Sequence, residues 1–261
     1  MITIHIVKNK INSFYQEYRD ILQNLYPGLN QKQLNVVFDE IEKRILEGYP
    51  LEYLVGKKYF YNGEILLGEG VFIPRFETEI LVHEALKILK SGNKVLDLCA
   101  GPGTIGISIL RERNDIEMVF IERYEQPLSY IKKNLKNIQK TASVIKSNLF
   151  QELNKEEKFH IILANPPYIP AGKVTHSQTK FEPQEALFVP FEDFFSFLFQ
   201  GVYKHLEETG VFMIEIYEED SMNVKILAQK YFQDVSIKHD LTGRPRFLIG
   251  QKKNSSVKNI I

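Results

Sequence analysis

Tryptophan is missing from the 261 residues, and cysteine occurs once, as Cys99. A lone cysteine excludes an internal disulfide. No Cys-x-x-Cys or His-Glu-x-x-His pattern is present and the six histidines are scattered, so no metal is expected. Net charge is absent too, because Lys plus Arg and Asp plus Glu both number 33. Broad nucleic-acid binders carry a basic footprint, so this balance argues against a nucleic-acid substrate. No apolar run is long enough to span a bilayer, and no signal peptide is read at the start. Together these absences lead us to expect a cytoplasmic protein in a reducing compartment, away from the membrane. The want of tryptophan, beside abundant Lys, Asn, Ile and Phe, reflects codon bias and excludes no function.

What the chain does hold is a globular composition, 44% hydrophobic, long enough for one large domain or two small ones. Residues 12–25 place Phe14, Tyr18, Ile21, Leu22 and Leu25 on one helical face, and Pro27-Gly28 breaks the pattern. Asn30 then caps a second expected helix with Leu34, Val37, Phe38, Ile41 and Ile45 at helical spacing, closed by Gly48. Such a pair is most simply a docking or packing module. Pro50 to Gly56 reads as a linker. Tyr59 to Leu67 reads as a hairpin turning at Asn62-Gly63, a pair suited to a type I′ turn. Val71-Phe72-Ile73 reads as a short strand ended by Pro74, and Glu77 to Lys90 as a helix.

From Lys94 onward strand and helix alternate. Strands are expected near 94–98, 116–121, 142–146, 159–164 and 210–216, and helices near 104–113, 124–137, 191–207 and 219–231. That is the pattern of a doubly wound α/β domain. It closes with an antiparallel pair, 234–239 and 245–250, and a polar tail.

One turn draws the chemistry. Phe159 to Ala164 is an apolar run typical of a buried parallel strand, and Asn165-Pro166-Pro167-Tyr168 follows it. Neither proline has an N–H for the ladder, so the chain leaves the sheet at Asn165. Ligands of open α/β sheets bind beyond the carboxyl ends of strands. There the Asn165 side-chain oxygen and the Pro166 carbonyl can each accept a hydrogen bond from a planar NH₂ group, and Tyr168 can cover its flat face. The plainer alternative is a strand-end turn with an aromatic plug.

A second feature lies upstream, where Asp97-Leu98-Cys99-Ala100-Gly101-Pro102-Gly103 joins the first core strand to a helix. The glycines let backbone approach a ligand, and the helix N-terminus suits a carboxylate or phosphate. As the dinucleotide fingerprint Gly-x-Gly-x-x-Gly the loop falls short, for want of a glycine before Gly101; the P-loop pattern also fails. Asp97 either binds a cofactor amino group or holds loop amides. Glu122 closes the next strand, where a carboxylate can accept from both hydroxyls of a ribose; otherwise it is a solvated strand-end charge. Asn148 can bond an adenine edge and Leu149 can pack on its face.

These motifs, taken in order, resemble the class I S-adenosylmethionine-dependent methyltransferases. Within them the chain is similar to the peptide chain release factor glutamine N5-methyltransferases, the PrmC or HemK family. The residues that narrow the choice are Pro50-Leu51-Glu52-Tyr53-Leu54-Val55-Gly56, Ile73-Pro74-Arg75-Phe76-Glu77-Thr78-Glu79, Glu182-Pro183-Gln184-Glu185-Ala186-Leu187 and Asp240-Leu241-Thr242-Gly243-Arg244-Pro245-Arg246. The resemblance spans roughly residues 50–250. It implies an α/β, Rossmann-like seven-stranded class I methyltransferase sheet with a final antiparallel strand, a small N-terminal helical domain and a hairpin linker. The expected boundaries are 1–50 for the helical domain, 51–75 for the linker with its hairpin, 76–251 for the methyltransferase domain and 252–261 for the tail. S-adenosylmethionine is the implied cofactor. The implied substrate is the glutamine of a Gly-Gly-Gln loop in a release factor. Cys99, Ala100, Gly101, Pro102 and Gly103 would line the methionine part, Glu122 the ribose, and Asn148 and Leu149 the adenine. Asn165, Pro166, Pro167 and Tyr168 would hold the glutamine amide. The chain departs from the family pattern at Cys99-Ala100, which stand in place of the first glycine and the small hydroxyl. It also departs at Glu122 (usually Asp), at Asn148 (commonly an acid) and at Phe76 (usually Pro).

Arg75 and Glu182 are read either as substrate-loop contacts or as a structural ion pair. Cys99 is expected to be a small buried residue rather than a redox thiol, as no His or Lys neighbours it in sequence. Two other functions share these motifs: an N6-adenine DNA methyltransferase, which needs the same amine cradle, and a binding protein that kept the fold without the reaction.

Overall fold

A computed structural model describes residues 28–173 and 177–252. The helix expected over 12–25 and nearly all of the polar tail lie outside the described residues. The chain divides into two compact units between Leu51 and Glu52.

In the first unit, helix α1 (Gln31–Leu46) starts where Asn30 predicts. Asn30 Oδ1 accepts from the Lys32 and Gln33 amides at 3.1 and 3.0 Å. Gln33 Oε1 returns the favour to the Asn30 N–H at 2.9 Å, a reciprocal box that satisfies the first-turn donors. Leu34, Phe38 and Ile41 are buried. Gly48, at φ +86°, ends the helix in the left-handed conformation.

A short helix α2 (Leu51–Val55) occupies most of the expected linker, and the boundary between the two units falls within it. Beyond it the second unit differs from expectation in two places. The hairpin β1 (Lys57–Phe60) and β2 (Gly63–Leu66) turns at Tyr61-Asn62, one residue earlier than predicted, with Tyr61 taking a positive φ of 53°. Gly63 stands in the strand itself, where a Cβ would lie 2.8 Å from the Arg111 guanidinium and would have to displace it. The strand expected at Val71-Phe72-Ile73 is absent, although Val71 and Ile73 are buried. Side chains replace its ladder: the Tyr53 hydroxyl donates to the Val71 carbonyl at 2.6 Å, and the Ile73 N–H donates to the Glu182 carboxylate at 3.1 Å.

The remaining elements are α3 (Thr78–Ile88), β3 (Lys94–Leu98), α4 (Thr104–Glu112), β4 (Glu117–Glu122), α5 (Glu125–Asn137), β5 (Ser143–Lys146), β6 (Phe159–Ala164), a two-residue pair β7 (Ile169–Pro170) and β8 (Phe188–Val189), α6 (Phe191–His205), β9 (Leu206–Glu215), α7 (Ser221–Gln229), β10 (Asp234–His239) and β11 (Pro245–Gln251). Seven strands form one sheet in the order β10-β11-β9-β6-β3-β4-β5. β5, β4, β3, β6 and β9 run parallel, and β11 lies antiparallel between β9 and β10. The α/β sheet with its antiparallel last strand is the architecture expected.

Both faces are covered, which is why the central strands read as unbroken apolar runs. Side chains alternate between faces. Val95, Phe120, Ile161 and Leu163 pack with Leu81, Ile109 and Ile131 of α3, α4 and α5. Leu96, Leu98, Ile121 and Ile162 pack with Phe195, Phe199 and Val224 of α6 and α7. The chain winds outward through β3, β4 and β5, then returns to place β6 on the other side of β3. The gap between β3 and β6 is therefore the switch point at which such sheets bind ligands. Among the described residues, no helix is long and apolar enough to cross a membrane.

Candidate active site

Register lines up the motifs. Leu98 pairs with both Ile121 and Ala164, and Ala164 pairs with Ile214. One position farther, Glu122, Cys99, Asn165 and Glu215 therefore form a row across the carboxyl edge of four adjacent strands. A cavity of about 810 Å³ opens over this edge and reaches α6.

The loop after β3 is its floor. Cys99, Ala100, Gly101, Pro102 and Thr104 line the cavity, whereas Asp97 and Gly103 lie behind them. Cys99, Gly101 and Gly103 have φ of 55°, 56° and 85°. A Cβ on Gly101 would meet nothing within 4 Å, so that face is open. Cys99 thus takes the left-handed conformation that a glycine would supply at lower cost. It is half-buried on the cavity wall rather than fully buried. Burial and the Glu122 and Asp97 carboxyls push its thiol well up, which keeps it protonated and unreactive.

The fingerprint reading also needs correcting. Gly101-Pro102-Gly103-Thr104-Ile105-Gly106 does satisfy Gly-x-Gly-x-x-Gly when its frame starts at Gly101. A Cβ on Gly106 would lie 2.3 Å from the Phe120 ring, so this third glycine lets α4 pack on the sheet. Asp97 Oδ2 accepts the Gly106 N–H at 2.8 Å, while its Oδ1 has no partner among the described residues. Burial, with the Glu122 charge adding, raises the Asp97 carboxyl to about 8. Asp97 thus holds an amide in the first turn of α4.

Glu122 lines the cavity with its carboxylate already oriented. Oε2 accepts from the Gly101 N–H at 2.9 Å, and Oε1 from the Arg123 and Tyr124 amides at 2.7 and 3.0 Å. Burial pushes this carboxyl up, against the three amides that favour its anion. Each oxygen has two lone-pair sites, so Oε2 retains capacity for one more donor. Asn148 is exposed on the rim and Leu149, at φ 52°, sits beside it; both line the cavity. Sequence reasoning missed the wall next to them, where Phe150 stacks on His205 with ring centroids 5.1 Å apart. A flat aromatic surface next to a polar rim suits a planar heterocycle.

At β6 the motif splits. Asn165 and Pro167 line the cavity; Pro166 is buried and Tyr168 turns away. The Tyr168 hydroxyl donates to Glu215 Oε1 at 3.1 Å, and its ring stacks on Tyr217. It therefore does not lie over the cavity, as a cover for a flat substrate group would. Asn165 Nδ2 donates to Thr78 Oγ1 at 3.0 Å, and Thr78 Oγ1 donates to Glu215 Oε2 at 2.7 Å. Thr78 and Glu215 were not singled out from the sequence. Glu215 had a visible signal, since it closes the apolar run Phe212-Met213-Ile214 as Glu122 closes Met118-Val119-Phe120-Ile121.

Arg75 and Glu182 form an ion pair with each other, and neither lines the cavity. Glu182 is 4% exposed and also holds the Ile73 amide, so the pair fixes residues 72–76, of which Phe72 and Pro74 face the cavity.

Comparison with known proteins agrees with this geometry. A family described as "Methyltransferase small domain" matches residues 74–182. The chain is 32% identical to a release factor glutamine methyltransferase of Thermodesulfovibrio yellowstonii, over 88% of this chain and 85% of that one. It is 34% identical to a protein of the same name from Leptospira interrogans, over 85% and 81%. Among solved structures, a T. thermophilus 16S rRNA N2 G1207 methyltransferase in complex with AdoMet and guanosine shares the fold. Its TM-score is 0.54 at 20% identity, and the match spans 76% of this chain and 50%, about half, of that one.

Proposed function

The chain belongs to the release factor glutamine methyltransferases, and we propose that it transfers a methyl group from S-adenosylmethionine to the side-chain amide nitrogen, N5, of the glutamine in a release factor's Gly-Gly-Gln loop. Release factors work in the cytoplasm, where the reaction would take place. The observation that carries the reading is Asn165 on the wall shared with Cys99 to Pro102, Thr104 and Glu122, its Nδ2 bound to Thr78 and its Oδ1 without a partner among the described residues.

The cavity wall fits the cofactor. Gly101 presents open backbone, Glu122 Oε2 has room for a hydroxyl donor, and Asn148, Leu149, Phe150 and His205 form a half-polar, half-aromatic slot. In this reading Cys99 to Gly103 hold the methionine part, Glu122 the ribose, and Asn148 and Leu149 the adenine. When bound, S-adenosylmethionine supplies an electrophilic methyl group on a sulfonium.

An amide nitrogen is a poor nucleophile because its lone pair is delocalised into the carbonyl. Asn165 Oδ1 would accept one N–H of the glutamine amide; the Pro166 ring is buried, but its carbonyl, at the peptide link to the cavity-lining Pro167, would accept the other and turn the lone pair toward the methyl group. In the best-aligned intramolecular cases such positioning contributes up to about 7–11 kcal/mol. Once methylated, the nitrogen is cationic and acidic, so the proton leaves without a strong base; none is assigned. Tyr168 acts behind the amide, and Arg75 and Glu182 act through the segment that carries Phe72 and Pro74.

The test is incorporation of labelled methyl from S-adenosylmethionine into purified release factor. Controls are a release factor with the loop glutamine changed to alanine, and adenine-containing DNA. Label that vanishes with the glutamine supports the reading; label in DNA alone overturns it. Asn165→Ala is expected to lower methylation at least a hundredfold while cofactor affinity changes little. Equal loss of both would sink the division of labour.

A further inference from the structure

We propose that Glu215, acting through the Thr78 hydroxyl, sets which end of the Asn165 amide faces the cavity. This deepens the glutamine-amide reading above and rests on it.

The argument is an inventory of hydrogens. Glu215 ends β9 and is 1% exposed. As an anion it only accepts, so both hydroxyls against it must donate: Thr78 from the first turn of α3 and Tyr168 from the segment after β6. A hydroxyl carries one hydrogen. Thr78 has committed its own to Glu215, so toward Asn165 it offers only lone pairs. The amide end 3.0 Å away must then be NH₂, as observed. The carbonyl end is left for the cavity, and that end is what a substrate N–H requires. The two ends of an Asn amide are nearly equal in size, so packing alone discriminates weakly between them. The anion makes the choice.

A proton on Glu215 reverses each step. The acid O–H donates to Thr78, Thr78 turns its hydrogen to Asn165, and the amide turns over to accept it. The cavity then meets NH₂, which cannot accept from the substrate. Around Glu215, Arg246 of β11 and the two hydroxyls draw its carboxyl down, Glu77 beside α3 pushes it up, and burial outweighs them. The result lies at about 7, within reach of ordinary assay conditions.

The experiment is the pH profile of kcat/KM for release-factor methylation, with thermal midpoints as a folding control. Wild-type activity should fall as pH drops through about 7. Glu215→Gln places an amide donor against Thr78, like the protonated acid. It should give a flat profile at least tenfold below the wild-type plateau, with S-adenosylmethionine affinity within twofold. Tyr168→Phe removes a donor that favours the anion, so its acidic limb should move to higher pH. Thr78→Val should lose as much as Glu215→Gln, and Thr78→Ser should recover most of it. A retained limb in Glu215→Gln, or full activity in Thr78→Val, overturns the proposal. A second readout needs no substrate: nuclear Overhauser contact between the Asn165 NH₂ and the Thr78 methyl should be present at pH 8 and lost at pH 5.5. If that contact is the same at both, the relay is wrong even where glutamine is methylated. If it changes but no glutamine is labelled at any pH, the relay stands and the substrate reading falls.

Discussion

At the residue scale, Asp97 shows how far burial alone can move a group. Its folded-state carboxyl is raised to about 8 from an ordinary 3.8, with burial the largest cause. A raised pKa means that the contribution to stability is present below the unfolded value and is lost as pH climbs through the folded one. Asp97→Asn keeps an acceptor for the Gly106 amide and removes the titration. Its stability relative to wild type should therefore rise from pH 4 to about pH 8 and level off above, by on the order of a few kcal/mol. Urea unfolding at several pH values checks this; a difference independent of pH would refute it. The positions of Asn165 and Glu122 at the cavity were legible because an isolated polar residue after an apolar run must sit where a strand ends. Tyr168 was not, because sequence says which residue leaves the sheet but not which way its ring turns. Its hydroxyl found an acid that is 47 residues away in sequence.

At the element scale, the strands and helices from Lys94 onward were nearly all visible, since a sheet buried on both faces leaves continuous apolar runs. β3, β6 and β10 begin and end at the residues expected. Val71-Phe72-Ile73 failed for a reason no local pattern carries: its amide is satisfied by a carboxylate 109 residues later in the chain. The hairpin turns one residue early, with Tyr61 taking the positive φ while Gly63 stands in the strand beside the Arg111 guanidinium of α4. The same reasoning makes a prediction for Glu182. Glu182→Leu leaves the buried Ile73 N–H without an acceptor and should cost roughly 1–3 kcal/mol from that group alone. Glu182→Gln keeps an acceptor and should cost less. Chemical denaturation of the two variants gives the order, and equal costs would mean that the amide bond contributes nothing.

At the scale of the whole molecule, the cavity links cofactor binding to folding. A ligand that binds only the folded state at a hundred times its Kd stabilises by about 2.7 kcal/mol. For a domain of this size that corresponds to roughly 5–10 °C in Tm. S-adenosylmethionine should produce such a shift, and Glu122→Ala should remove most of it if Glu122 holds the ribose. An unchanged shift in Glu122→Ala would move the ribose elsewhere.

The position of β11 has a consequence for how the sheet holds together. β11 is the last of the described strands yet sits between β9 and β10, and its Phe247, Leu248 and Ile249 supply both faces. β10 has no neighbour in the sheet except β11, so β11 is what joins β10 to β9. Unpaired strand edges template association between chains. A polypeptide cut before Pro245 would leave β9 and β10 each with such an edge, so its fate would be aggregation rather than a smaller native domain. Strand β11 thus acts as the bolt of the sheet, covering the margins of β9 and β10 at once.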